Sequence, residues 1–219
     1  MSDGMIKGAL VITPEYPPKV LGQTGSKARE LAKGLRDEGL IVSVLAHDDV
    51  LVGDFIEESM RIVRISNPIR TYYSILTVEM FLTTQFIREA MRLIKGEMVG
   101  LVVSFEWLTL AAACALKMRF RLPLISVVQS TEPQRSAWRK DPLSITIENF
   151  ERTLLAKSDL VLPHSRQTFD ILKGYYGIDG DKIALFDMQS DYWTKAVLSL
   201  VDREWELDEG ADADLGVPA

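Results

Sequence analysis

Cysteine and histidine are nearly absent from this chain, and that narrows the chemistry at once. A single cysteine, Cys114, excludes an intramolecular disulfide and a thiolate zinc cluster. Two histidines, His47 and His164, leave little from which to build a histidine-rich metal site. No uncharged run approaches the ~20 residues of a membrane span; Trp107 to Leu116 is typical of the longest. The N-terminus carries no secretory signal, because Lys7 is followed only by the short apolar run Ala9 to Ile12 before Pro14. Basic residues form no long block. The groups Lys117, Arg119, Arg121 and Arg135, Arg139, Lys140 are short, so a nucleic-acid partner is not expected. A G-x-S-x-G elbow is missing, which removes the usual foothold for serine hydrolase chemistry. The expectation is a soluble cytoplasmic protein.

What is present is an ordinary globular balance: 219 residues, 47% hydrophobic and 26% charged. The net charge of −6 is concentrated at one end, since seven acids and one base lie between Asp202 and Asp214. That stretch reads as a solvated tail. Upstream, short apolar runs alternate with amphipathic segments. Strands are predicted at 6–13, 40–46, 60–65, 101–104, 124–128, 160–162 and 182–186, and helices at 25–38, 73–95, 107–120, 143–157 and 166–176. Ala28, Leu31, Ala32 and Leu35 mark the buried face of the first helix, and Gly39 closes it. Continuous apolar strands separated by helices predict an α/β fold: a three-layer, doubly wound, mostly parallel sheet of Rossmann-like type. A further helix is predicted at 191–201, with Asp191 as its N-cap and Trp193, Val197, Leu200 and Val201 on one face. The expected organisation is a body over 1–190, a helix within 191–207 packing back on it, and a mobile acidic tail over 208–219.

Ligands bind such sheets at the carboxyl ends of the strands, near the point where strand order reverses, so the loops there are the places to search. The first loop runs from Pro14 through Gly22, Gln23, Thr24 and Gly25 into the first helix. Its glycines permit close backbone approach, and the helix start beyond offers unpaired N–H groups to an anion. It is neither a G-x-G-x-x-G fingerprint nor a P-loop. An ordinary βα turn is the alternative reading. If the loop touches a ligand, Gly25→Val should abolish function with little loss of stability. The helix over 73–95 carries Ile75, Leu76, Met80, Phe81, Phe86, Ile87, Met91 and Ile94, which suits either a core-facing helix or a peripheral membrane or partner contact.

Several motifs, in order, resemble one family. Tyr16-Pro-Pro-Lys, Gly22-x-x-Gly25, Glu30-Leu-Ala-Lys-Gly-Leu and Gly39-Leu-Ile-Val-Ser-Val are similar to the start of GT-B glycosyltransferases of family 4 and the glycogen-synthase-like enzymes. The resemblance continues through Leu101-Val-Val-Ser-Phe-Glu106-Trp107 and Arg121-Leu-Pro123-Leu-Ile-Ser-Val-Val. It ends in Glu151-Arg, Lys157-Ser-Asp159-Leu-Val, Ser165, Tyr175-Tyr-Gly177-Ile and Lys182-Ile, reaching about residue 186. There are departures. The family's second loop glycine is Gln23, its two histidines correspond to Phe105 and Gln129, and Asp187-Met188-Gln189-Ser190-Asp191 replaces a proline-asparagine-glycine run.

The resemblance implies the N-terminal, acceptor-side half of a nucleotide-sugar-dependent transferase. The second Rossmann-like domain, with its E-x7-E pair and donor site, would come from a separate chain or from sequence beyond these residues. Glu30 with Glu38 and Glu89 with Glu97 have that spacing but read as solvated helix faces. No metal or other cofactor is implied. The implied partners are a donor-domain chain or a second copy in a homo-oligomer, and a sugar or glycan acceptor. Substrate-binding candidates are Gly22, Gln23, Thr24 and Gly25 of the loop, Glu106, Gln129 and Ser130; no catalytic residue is assigned. Glu106 could hydrogen-bond acceptor hydroxyls, act as a base if burial raised its pKa, or simply sit at a helix N-terminus. Trp107 reads as core, Ser165 as an N-cap, and His164 has no evident role. A non-catalytic binding or regulatory module with a degenerate transferase fold is the second reading, supported by both lost histidines and the altered loop.

Overall fold

The computed structural model describes residues 8–69, 74–186 and 192–202. Seven strands form one sheet in the order β3-β4-β2-β1-β5-β6-β7. They are β1 (Gly8–Thr13), β2 (Ile41–His47), β3 (Gly53–Glu57), β4 (Met60–Ile65), β5 (Val99–Phe105), β6 (Leu124–Val128) and β7 (Leu160–Pro163). Every pairing is parallel except β3 with β4. The helices are α1 (Thr24–Asp37), α2 (Ile75–Gly96), α3 (Trp107–Phe120), the short α4 (Glu132–Arg135), α5 (Pro142–Leu155), α6 (Arg166–Gly174) and α7 (Tyr192–Asp202).

Alternation within each strand feeds two cores. On one face, Val11, Val44, Val103 and Val127 pack with Leu31 and Leu35 of α1 and with Trp193, Val197 and Leu200 of α7. On the other, Leu10, Ile12, Leu45 and Val102 pack with Phe86 and Leu93 of α2, Leu110 of α3, Leu155 of α5 and Leu172 of α6. Strands covered on both faces are apolar at most positions, which is why they read as near-continuous apolar runs; buried Ser43, Ser104 and Ser126 are the small polar exceptions. The face of α2 formed by Leu82, Phe86, Ala90 and Leu93 belongs to this core, while Met80 stays exposed. Among the described residues no helix is long and apolar enough to cross a membrane.

Three elements differ from the sequence reading. Strand β3 is an antiparallel edge strand joined to β4 through Glu58 and Ser59, both at positive φ (51° and 64°). Such a two-residue turn normally announces itself with Asn-Gly, and Glu-Ser hides it. Helix α4 is a single turn and too short for any period. The strand predicted over 182–186 contributes only a bridge from Ile183 to Val161 after a 3-10 turn at Gly180–Lys182. Helix caps follow the local chemistry: Ser165 accepts the Thr168 N–H at 3.1 Å, and Gly39 follows α1 at φ +90°. The Asp191 cap, the run 187–191 and the acidic tail over 208–219 lie outside the described residues.

Candidate functional site

Strand order reverses between β1 and β5. The chain runs outward through β2 and β4 and returns to β5 beside β1. The loops leaving these neighbouring strands carry Glu15 and Glu106.

Glu106 has a conformation that a non-glycine residue adopts at a cost, with φ 61° and ψ 167°. It occupies the N-cap of α3, yet its side chain makes no capping bond. Glu106 thus stands at the helix terminus, as one sequence reading has it, but does not cap it. Instead Oε1 accepts the Gln129 N–H at 2.6 Å, and Oε2 lies 3.8 Å from Arg135 Nη1. The side chain is 13% exposed. Burial pushes its carboxyl up to about 7, with the charges of Glu151 and Glu15 adding to the rise and Gln129 and Arg135 opposing it. A carboxyl at that value exchanges protons near neutral pH, which is the condition for acid–base work.

Arg135, at the end of α4, ties this corner together. It donates to the Ser130 carbonyl at 2.5 Å, to Glu132 Oε2 at 3.2 Å, and to Glu151 Oε1. Glu151 is buried and also accepts the Glu132 N–H at 2.9 Å and the Tyr176 hydroxyl. Three carboxylates surround one guanidinium. Burial and the Glu151 carboxylate raise the pKa of Tyr176, so that phenol remains a proton donor. Beneath Glu106 a cavity of about 10 Å³, lined by Ser104, Ser126, Ser130 and Glu151 among others, has room for about one water.

The glycine loop is organised by a residue that composition did not single out. Glu15 is buried; its Oε2 accepts the Leu21 N–H at 2.6 Å and its Oε1 the Gly25 N–H at 2.9 Å. Gly22 and Gln23 are exposed, Thr24 opens α1, and Gln23 makes no side-chain cap. Neither Gly22 nor Gly25 has a positive φ. A Cβ at 25 would touch the Glu15 backbone and Cγ at 3.4 Å, at the near edge of ordinary van der Waals contact. Gly25 is buried beside Glu15, so the melting temperature of Gly25→Val separates a ligand contact from a packing role at this position. Below the loop, buried Arg64 donates to the Pro17 carbonyl at 2.7 Å and lies 5.5 Å from the Tyr16 ring centre. Burial pushes the Tyr16 phenol up to about 12.

The predicted residues thus form two groups on adjacent strands. Glu106, Gln129 and Ser130 are joined through Arg135, and Gly22 to Gly25 are organised by Glu15, whose charge reaches Glu106. Gln129 Nε2 is buried with no partner among the described residues. The same holds for His164 Nδ1, whose ring lies 6.2 Å from Phe186 and whose pKa burial and Lys27 depress. Phe105 is fully buried and Trp107 packs edge-on to Phe150, so both serve the core. Glu97 is not a solvated face residue: it accepts from Arg61 and from Ser43 at 2.6 Å. The resemblance included Glu151 and Tyr176, but neither they nor Arg135 showed in the sequence as a cluster, since they lie on α5, beyond α6 and on α4. A larger cleft of about 480 Å³ lies at the sheet edge between β3, β4 and α2, away from this site. Its charges are spent on one another, Arg88 and Arg92 pairing with Glu89. Among the described residues no cluster of three or more metal-ligating side chains occurs.

A mostly parallel sheet in this order, with a glycine-bearing loop and polar side chains at its switch point, defines a Rossmann-like α/β domain of the kind found in GT-B glycosyltransferases. The chain belongs to Glycosyltransferase Family 4, whose model matches residues 26–186. Two structures of sucrose-phosphate synthase from Thermosynechococcus elongatus are similar. One gives a TM-score of 0.61 at 17% identity over 88% of this chain and 96% of that one. The other gives 0.67 at 18% over 82% and 47%. The catalytic domain of starch synthase IV from Arabidopsis thaliana, bound to ADP and acarbose, gives 0.54 at 12% over 82% and 51%. The chain spans about half the length of these two longer structures. At such identities the likeness shows the fold. No curated protein matches the chain.

Proposed function

We propose that this domain is the acceptor-side half of a nucleotide-sugar-dependent glycosyltransferase. The donor half would be supplied by a separate chain or by sequence beyond these residues. The observation that carries this reading is Glu106. A strained, largely buried carboxyl with a pKa near 7 stands at the switch point beside the Gln129 amide, whose Nε2 has no partner among the described residues. Such a carboxyl can accept a proton from a sugar hydroxyl or hydrogen-bond to it, and the amide N–H of Gln129 can complement the same ligand. Ser130 and the Gly22, Gln23, Thr24 and Gly25 loop border the acceptor in this reading. A cytoplasmic setting and an absence of metal chemistry belong to the same proposal. The test is a pull-down for a GT-B donor-domain partner, followed by transfer assays with UDP-, GDP- and ADP-sugars on the reconstituted pair. Transfer that is lost in Glu106→Gln supports the reading; a folded pair that transfers equally well with Glu106→Gln rejects the role of Glu106.

A second reading, a non-catalytic binding module, draws on Phe105 being sealed in the core where the family has a histidine. Sugar binding by the chain, with no transfer from any reconstituted pair, would favour it.

A further inference from the structure

Trp138 is turned out of the fold on a strained backbone. The other described tryptophans, Trp107 and Trp193, are buried, whereas Trp138 is 51% exposed. Its φ is 61°, in the left-handed region, and that of Ala137 before it is 50°. The end of α4 explains the first of these two. The Ala137 N–H donates to the Gln134 carbonyl at 3.4 Å, and the Trp138 N–H to the Pro133 carbonyl at 2.8 Å. That is a Schellman pair, which needs one left-handed residue, here Ala137. A second left-handed residue adds nothing to the cap, and a bulky side chain adopts that conformation at a cost.

The ring so presented is held from one side. It meets the Tyr175 ring edge-on, with centroids 5.1 Å apart. Tyr175 is itself clamped: its hydroxyl donates to Glu148 at 2.8 Å and accepts from Lys140 at 2.7 Å, and Arg152 lies 5.0 Å from its ring centre. A rigid aromatic loses little conformational entropy on binding, and the indole N–H makes no hydrogen bond among the described residues. The surroundings are polar. Arg139, Lys140 and Asp141 follow in the chain, all exposed. Leu143 and Ile145, the next exposed apolar residues, are two apart on α5 and point to different sides. A protein or lipid partner calls for contiguous apolar surface. A single fixed ring with a donor at its edge suits a sugar ring instead, whose C–H groups form a face and whose hydroxyls project outward.

The ring also belongs to the corner that holds Glu106. Trp138 lies three residues beyond Arg135, which reaches Glu106 and Glu151. Tyr175, on which the ring leans, lies against Tyr176, whose hydroxyl donates to Glu151. We propose that Trp138 is a carbohydrate-binding platform, which stacks on the C–H face of a saccharide and donates its indole N–H to one of that saccharide's hydroxyls. That this saccharide is the acceptor rests on the function proposed above; the platform itself is tested without any transfer assay.

The experiment follows indole and backbone N–H signals of the 15N-labelled full chain during titration with neutral saccharides: glucose, mannose, galactose and the α- and β-linked disaccharides of each. The Trp138 indole signal is identified by its absence from Trp138→Phe, which keeps an aromatic ring against Tyr175. In the wild type that signal should shift saturably with at least one saccharide, while the indoles of Trp107 and Trp193 stay in place. Trp138→Ala should weaken binding of the same saccharide by about tenfold or more, and Trp138→Phe by less. If the Gln129 and Ser130 amides respond and the Trp138 indole does not, the platform is overturned and the proposed function stands. If no saccharide moves either group, the platform is overturned and the proposed function is weakened with it. A Trp138 shift that follows protein concentration instead of saccharide marks a contact between copies and also overturns the platform. The wild-type titration reads the ring directly, so a Trp138→Ala variant that fails to fold does not decide the matter.

Discussion

Glu106 shows how one residue can be bound into the fold and still be poised for chemistry. Its backbone is strained, its side chain is withdrawn from water, and its acceptor bond to Gln129 fixes where the carboxyl points. The raised pKa has a consequence for stability that needs no substrate. A carboxyl whose folded pKa lies above its unfolded value of about 4.5 binds its proton more tightly in the native state. Its contribution is fully present below pH ~4.5 and is lost as pH rises through about 7. The wild type should therefore lose stability from this group between about pH 5 and 7.5, by a few kcal/mol at most. Glu106→Gln, which cannot ionise, should lack that component. Melting temperatures of both proteins at pH 5.0, 6.0, 7.0 and 8.0 check this; parallel curves would mean that Glu106 titrates in the ordinary carboxylate range.

At the scale of elements, α7 is the segment on which the α1 face of the sheet depends for closure. Trp193, Val197 and Leu200 are almost fully buried in the core that α1 covers, and the Trp193 ring lies edge-on to Phe186 at 5.2 Å. The contact with α1 is tight. A Cβ added at Gly34 would stand 2.9 Å from the Trp193 ring. Burying three such side chains contributes roughly 1.5–3 kcal/mol each before ordering costs, a large share of a domain's ~5–15 kcal/mol net stability. Removing residues 190–219 should lower the melting temperature sharply or prevent folding, and removing 208–219 alone should leave it nearly unchanged. Gly34→Ala should fall between them, costing about 1–3 kcal/mol because a ring packed on both sides cannot easily give way. Thermal denaturation of the three variants is the check. Equal melting of the 190–219 truncation and the full chain would show that α7 is not docked in solution.

For the whole molecule, a prediction follows from the proposed acceptor-side role and from the three carboxylates gathered around Arg135 at the switch point. The isolated chain should show no micromolar affinity for UDP-, GDP- or ADP-sugars in calorimetric titration. Micromolar binding of any of them would place a donor site within these residues and overturn the half-enzyme reading.

The sequence by itself determined the parallel α/β architecture. Strands buried on both faces are mostly apolar, and α1 has to show its i, i+3, i+4 stripe, so Gly8 to Thr13 and Ala28 to Leu35 were legible without coordinates of any kind. Ser165 as a cap and the strand-end positions of Glu106 and Gln129 were equally legible, because caps and βα loops are local features. The hairpin of β3 was not, since Glu58 and Ser59 adopt a turn their residue types do not advertise. Only tertiary structure placed Glu15 on the Leu21 and Gly25 amides, and only it gathered Arg135, Glu151 and Tyr176 around Glu106 from three separate elements. Hydrogen bonds and buried charge depend on distances of a few ångströms in space, and residues far apart in the chain carry no pattern that records them.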